Sequence, residues 1–392
     1  MERARTVLGL VAASTVVGLM GTDLVLPAVP RLPEALHTNA SAAQLVLAAY
    51  VGGTCFGLLA FGALSERYAT SKLFIGSLFA TAIVSLLCAL ARSIEWLIGL
   101  RALQGAVAAA PAVFAPAIIK TMFDQNQAVR AIGLLGSIES LAPALAPIVG
   151  AGLLLFGGWQ MSFYALAGVA ALLGLIITAT LRLPQVERRA KGSYISLLTN
   201  GRFMRYALSQ AFVLGGLLTF VLGLPVVIVR VLGGTLSNFI AMQVTAIVLF
   251  MVAANNANRV VARFGVERTI MFGTILCAFG GVAQLTYALS GGKSLPIVLA
   301  LFVPVNIGLG LRGPPGFYCA VVAACGDDAR GAALVVLGIL AATAGGTALV
   351  APYIERGLVP LSVAVCILLL LAVMSLSVLP PIDEKPPAAA VA

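Results

Sequence analysis

The 392-residue chain is 61% apolar and 10% charged, with a mean hydropathy of +1.07. A soluble domain carries about 25% charged residues, so this composition excludes a water-soluble globular fold and makes the bilayer the solvent. The net charge of +10, which in a soluble protein would suggest nucleic acid, is assigned instead to basic loops at one membrane face, and no nucleic-acid partner is expected.

Apolar runs of roughly 18–25 residues without strict alternation are helices and not barrel strands. They fall in chain order near 7–30, 43–64, 73–91, 95–119, 131–156 and 160–182, then near 205–229, 237–254, 269–289, 295–320, 331–353 and 359–380. The opening Met1-Glu2-Arg3-Ala4-Arg5 imitates a secretory signal, but the apolar stretch after it runs to about Pro30 and is read as the first helix. The longest connection, carrying Arg188, Arg189, Lys191 and Arg202, separates two sets of six. The expected units are therefore an N-terminal bundle (1–183), a cytoplasmic linker (184–204), a C-terminal bundle (205–380) and a cytoplasmic tail (381–392).

With the N-terminus inside, 17 of the 24 Lys and Arg fall on the cytoplasmic side, 5 outside and 2 within helices, which predicts both termini in the cytoplasm. The loop after helix 2, Glu66-Arg67-Tyr68-Ala69-Thr70-Ser71-Lys72, is echoed after helix 8 by Ala262-Arg263-Phe264-Gly265-Val266-Glu267-Arg268. With the six-plus-six split, this suggests a duplicated unit, the parallel repeat typical of secondary transporters.

Four ionisable residues sit inside predicted spans: Asp23, Arg101, Glu139 and Arg312. Each costs roughly 2.5–3.5 kcal/mol on insertion scales. Depth along the helices, at about 1.5 Å per residue, matches Asp23 with Arg101 within the first half and Glu139 with Arg312 across the halves. A carboxylate so placed is expected to exchange a proton as its surroundings alternate; the alternative is that the pairs only lock helices together.

The residues then resemble a known family. Gly62-Ala63-Leu64-Ser65-Glu66-Arg67 is similar to the signature between helices 2 and 3 of the major facilitator superfamily, and Arg101-x-x-Gln104-Gly105 to its helix 4 motif. Residues 142–150, with Pro143, Pro147 and Gly150, resemble the helix 5 antiporter motif. Gly21-Thr22-Asp23-Leu24-Val25-Leu26-Pro27 resembles the helix 1 signature of twelve-helix drug:proton antiporters, and Trp159 and Phe163 at the start of helix 6 fit as well. The likeness is greatest to the bicyclomycin/chloramphenicol-resistance (Bcr/CflA) branch.

The resemblance implies an all-α membrane protein of the major facilitator fold, with twelve helices in two pseudo-symmetric bundles. It further implies a proton-coupling network of Asp23 and Arg101, and gating by Gly62, Glu66, Arg67, Pro143, Pro147 and Gly150. Glu139 is not a general family feature, nor is Arg312 in Leu311-Arg312-Gly313-Pro314-Pro315-Gly316, which makes both candidates for cargo contact; Glu139 is also a second candidate for proton coupling.

Other cargo candidates are Tyr50, Gln104, Gln243, Asn306, Phe220 and Phe317, with Phe239 and Phe302 alongside, as sparse polar anchors and aromatics of an apolar pocket. Gly53 and Gly57, which share a helix face with Tyr50, are expected to serve close packing. Asp327 and Asp328 are expected to cap helix 11. No phosphate-cradling loop, nucleophile or histidine cluster is present in the sequence; hence no enzyme, cofactor or metal is expected.

The function expected is a proton-coupled antiporter, in a bacterial cytoplasmic (inner) membrane, exporting small amphiphilic drug-like compounds as a monomer. Alternatives are a dedicated exporter or importer of one metabolite (amino acid, sugar or siderophore-type), and a membrane receptor or scaffold.

Overall fold

A computed structural model describes residues 2–38, 40–180 and 192–382; the linker residues Arg188, Arg189 and Lys191 and the tail from 383 lie outside the described residues. Among the described residues eleven helices are long and apolar enough to span a bilayer, and a bent pair makes twelve when counted as one span. They are α1 (Glu2–Asp23), α2 (Ala40–Leu64), α3 (Thr70–Ala89), α4 (Ile94–Ala108 and Ala110–Met122), α5 (Gln125–Gly157) and α6 (Met161–Thr180). After the short linker helix Tyr194–Thr199 come α7 (Gly201–Arg230), α8 (Leu236–Phe264), α9 (Val266–Leu289), α10 (Leu295–Ala323), α11 (Asp328–Val350) and α12 (Leu358–Val378). The expected fold class holds.

Helix starts follow side-chain chemistry. The Ser93, Asp124, Asn200 and Thr235 side chains accept backbone N–H groups at the heads of α4, α5, α7 and α8, leaving fewer orphan donors. Boundaries shift where proline intervenes. The predicted first helix ends at Asp23 and continues as a 3-10 turn, Leu26–Arg31, because Pro27 withholds a donor. Helix 4 is interrupted at Ala109, just before Pro111. α5 bends by 43° between Gln125–Pro143 and Leu145–Gly157, where Pro143 and Pro147 each withhold a helix donor.

The halves have separate apolar interiors. One cluster joins α1 to α6 around Phe74, Phe114 and Phe163; another lies within the second half around Phe220, Phe302 and Leu369. They cross between halves only from one end up to about mid-depth, through Ala329, Ala333, Val336 and Leu340 of α11, Tyr318 of α10 and Val129 of α5, among the described residues. That end carries the loop 65–69 and the linker helix. It is called the basic end below, after its Lys and Arg excess, and the opposite end the far end.

Candidate functional site

The intramembrane charges are held by different means. Arg101, fully buried on α4, donates through Nε to the Val46 carbonyl (3.2 Å) and through Nη1 to Gln104 Oε1 (2.6 Å). Gln104 in turn donates to Ser85 Oγ (2.6 Å). The Tyr50 ring lies 4.2 Å from the guanidinium carbon and the Phe163 ring 5.7 Å, so aromatic faces supply part of what a counter-ion would. Tyr50 Oη donates to the Gly18 carbonyl of α1. This nest requires α2 and α4 to touch backbone to backbone. A Cβ on Gly53 would stand 1.9 Å from the Ala102 oxygen, and one on Gly57 2.1 Å from the Ala106 oxygen. The glycines are there for close approach.

Arg312 is the second fully buried guanidinium. It donates to the Ser209 carbonyl (3.3 Å), Ser209 Oγ (3.1 Å) and Gln210 Oε1 (2.8 Å), all on α7. Gly273 of α9 and Gly316 make room for it: their Cβ atoms would fall 2.7 Å and 2.8 Å from its side chain. Arg312 is thus enclosed by α7, α9 and α10 within its own half.

Neither depth-matched pair forms. Among the described residues no ion pair joins Asp23 to Arg101 or Glu139 to Arg312. Depth alone leaves azimuth free, and both arginines turn into their bundles toward carbonyl, amide and hydroxyl oxygens. Asp23, the last residue of α1, is half-buried, at the helix end where the dipole disfavours negative charge. Glu139 is half-buried too, with the Thr15 hydroxyl of α1 beside its carboxyl.

The remaining cargo candidates divide by burial. Tyr50, Gln104, Asn306 and Phe220 are enclosed within their bundles. Asn306 is satisfied by its own helix, donating to the Phe302 carbonyl (2.9 Å), and Phe220 packs on Phe302 with ring centroids 4.7 Å apart. Gln243, Phe239 and Phe317 remain half-buried.

At the basic end the two halves are bound by charge. Glu66 accepts from Arg330 Nη1 of α11 (2.7 Å) and from the Gly192 N–H of the linker (2.7 Å). Arg330 also meets Asp327 (3.1 Å), and Lys120 of α4 meets Asp328 (2.9 Å). Tyr194 of the linker helix donates to the Leu59 carbonyl, and its hydroxyl fills the notch at Gly62, where a Cβ would lie 2.2 Å away. A cavity of about 230 Å³ lies between the halves and the linker, lined by Ser65, Thr70, Phe114, Ser193 and Asp327 among others. The Arg330 hydrogen bond holds the Glu66 carboxyl below the usual carboxylate range, while burial pushes Asp327 up and pushes the Tyr194 hydroxyl to about 12.

Arg67, expected in the latch, is solvent-exposed, and Arg330 holds Glu66 instead. Gly150, one of the gating candidates, packs on the Leu24 carbonyl just after α1, whereas Gly133 and Gly136 of α5 face the other half, against the Ala254 carbonyl and the Phe250 ring of α8. Asp327 and Asp328 do stand at the head of α11, but both are engaged by cations.

Sequence reasoning missed Tyr194, Lys120, Arg330 and the Asn255–Ser137 hydrogen bond (2.9 Å) between α8 and α5. Only the last had a signal: Asn255, Asn256 and Asn258 are expensive residues for an apolar helix. Every hydrogen bond and ion pair between the halves or from the linker to the first half, among the described residues, lies on the basic-end side.

Two helical bundles with separate cores, buried intramembrane charges and a polar tie at one end define a multi-pass membrane transporter. The model of the Major Facilitator Superfamily matches residues 11–348, and the chain belongs to that family. It is 30% identical over 312 residues to an uncharacterized MFS-type transporter, YdgK, of Bacillus subtilis (75% of this chain, 76% of that one). It is 29% identical over 302 residues to a chloramphenicol resistance protein of Pseudomonas aeruginosa (74% and 70%), and 25% identical over 300 residues to a bicyclomycin resistance protein homolog of Haemophilus influenzae (73% and 74%). Among solved structures, the fold superposes on the transporter FucP in the outward conformation with a TM-score of 0.71 at 14% identity, covering 94% of this chain and 98% of that one. The human organic anion transporter MFSD10 gives 0.71 at 19% identity (95% and 99%).

Proposed function

We propose that this protein is a proton-coupled antiporter that exports small amphiphilic organic compounds by alternating access, as a monomer in a bacterial cytoplasmic membrane. The observation that carries the proposal is the pair of half-buried carboxylates, Asp23 and Glu139, left without ion-pair partners among the described residues, while both intramembrane arginines donate to oxygens within their own bundles. A bare carboxylate there is costly, so it is loaded with a proton or matched by another group as the cavity alternates. The printed names of relatives, which include chloramphenicol resistance and multidrug resistance proteins, support drug-like cargo.

In this proposal the bundles 1–183 and 205–380 rock as units about the linker. The basic end is cytoplasmic, and the tie of Glu66, Arg330, Lys120, Asp328 and Tyr194 holds the outward-facing state. Asp23 is the main proton site. Arg101 influences it through Tyr50, which lies between their two helices and touches both. Pro143 and Pro147 supply the bend of α5, and Gly62 the notch for Tyr194. Gln243 and Phe317, half-buried in the second half, are the cargo contacts kept there.

The test is purified protein in liposomes under an imposed pH gradient, alongside a resistance screen in a sensitive host. Asp23→Asn is expected to abolish gradient-driven export while leaving facilitated exchange measurable. If Asp23→Asn and Glu139→Gln both left proton-driven transport intact, the coupling proposal would fail.

A further inference from the structure

We propose that the far-end part of α4 carries a binding groove for one phospholipid with a primary ammonium headgroup, of the phosphatidylethanolamine class, on the face turned away from the protein interior. Helix periodicity divides α4 into two faces. Leu97, Arg101, Gln104, Gly105 and Ala108 are buried, with Arg101 bonded to α2 and Gln104 to α3. Trp96, Gly99 and Leu103 are exposed and stand about 140–160° from Arg101 around the helix. A groove of about 410 Å³ runs along this second face, lined by Glu95, Trp96, Gly99, Leu100 and Leu103. Gly99 leaves it open: a Cβ there would find nothing within 4 Å.

The groove has a polar head and an apolar body. Glu95 and Trp96 stand in the first turn of α4, which starts where the Ser93 hydroxyl accepts the Trp96 N–H. The end of a span is the level of the lipid headgroups, where an amphipathic indole settles. From Glu95 to Leu103 the groove descends about 12 Å along the helix, most of the ~15 Å of hydrocarbon in one leaflet. At the head, Glu95 is exposed, and so is Arg92 one turn earlier. Among the described residues neither forms an ion pair, with the other or with any side chain.

Charge chooses the occupant. A purely anionic headgroup would be repelled by Glu95. An ammonium headgroup meets the carboxylate through charge-assisted hydrogen bonds and the Trp96 ring through its quadrupole, and its phosphate falls to Arg92. A primary ammonium brings three N–H donors to the carboxylate; a trimethylated one brings none. One acyl chain then lies over Gly99 and against Leu100 and Leu103. The lipid so held braces the helix whose opposite face presents Arg101. The occupant is independent of the cargo, so its test needs no transport.

Trp96 is its own reporter. The chain has 2 tryptophans and Trp159 is buried, so Trp159→Phe leaves Trp96 as the single emitter in the full-length protein. That protein is placed in bilayers that mix phosphatidylethanolamine carrying a brominated acyl chain with unlabelled phosphatidylcholine, and in the converse mixture. Quenching of Trp96 then gives the relative affinity of the two headgroups at this groove. A preference of about fivefold for phosphatidylethanolamine is expected. Glu95→Gln should abolish the preference, and Glu95→Asp, which keeps the charge, should restore part of it. Gly99→Leu, which fills the groove where no protein atom stands, should reduce quenching by either lipid.

Equal quenching by the two lipids with Glu95 in place would overturn the proposal, since it would reduce the groove to general lipid contact. So would a preference that survives Glu95→Gln. Cross-linking of two copies that appears only with Gly99→Cys would give the groove to a second copy of this chain and overturn it as well. Each of these outcomes leaves the export reading untouched.

Discussion

At the residue scale, the arginines show how a low-dielectric interior accepts a charge. Arg101 has no carboxylate partner among the described residues, but it has oxygen acceptors and an aromatic face, which suits a planar, weakly hydrated guanidinium. Lysine offers no planar fork of donors. Arg101→Lys is therefore expected to cut transport by at least about tenfold, with the orphaned Gln104 and Val46 acceptors also destabilising the fold by about 1–3 kcal/mol; transport rate and melting temperature in detergent check the two effects. A Cβ on Gly53 would stand 1.9 Å from the Ala102 oxygen, so even Gly53→Ala forces α2 and α4 apart. The expected overpacking cost is about 1–3 kcal/mol, seen as a lowered melting temperature, whereas Gly52→Ala, with open space around it, should be nearly silent. The sequence singled out both residues. It could not tell which neighbours would satisfy the arginine, because pairing by depth ignores the direction in which a side chain leaves its helix.

At the scale of elements, the linker helix joins the tie between the halves. Tyr194 bridges to α2 and stacks its ring 5.4 Å from the Arg330 guanidinium carbon. Removing its hydroxyl loses one hydrogen bond, roughly 0.5–1.5 kcal/mol. Tyr194→Phe should therefore shift the population toward the state open at the basic end several-fold, and Arg330→Gln further. Single cysteines placed on the basic-end flanks, probed with a membrane-impermeant thiol reagent, read the shift; unchanged labelling in both variants would remove the linker and Arg330 from gating. The pH sense follows from Glu66. Its carboxyl is lowered by Arg330, so the tie is present above the ordinary carboxylate range and is lost as pH falls through the depressed value. Labelling at the basic end should stay flat from neutral to mildly acid pH and rise only below that range. The motif around residues 62–67 flagged this loop, yet its partners lie 126 to 264 positions away along the chain, beyond any local pattern.

At the scale of the whole molecule, the spans form two bundles whose cores, among the described residues, meet on one side only, which makes a device closed at that end. If the basic end is cytoplasmic, reporter fusions at the loop 65–69 and at the α8–α9 joint should both report the inside. Fusions near Arg92 and Lys293 should report the outside. The opposite pattern would reverse the direction of transport proposed here.

Composition and hydropathy by themselves determined that this chain lives in a bilayer and how many times it crosses, because each span must satisfy its own backbone and bury few charges. The motifs determined its family. The tertiary structure decided which intramembrane charges are enclosed and by what. Burial and azimuth are properties of packed helices, and they turned two expected ion pairs into two enclosed arginines and two half-buried carboxylates that pair with neither.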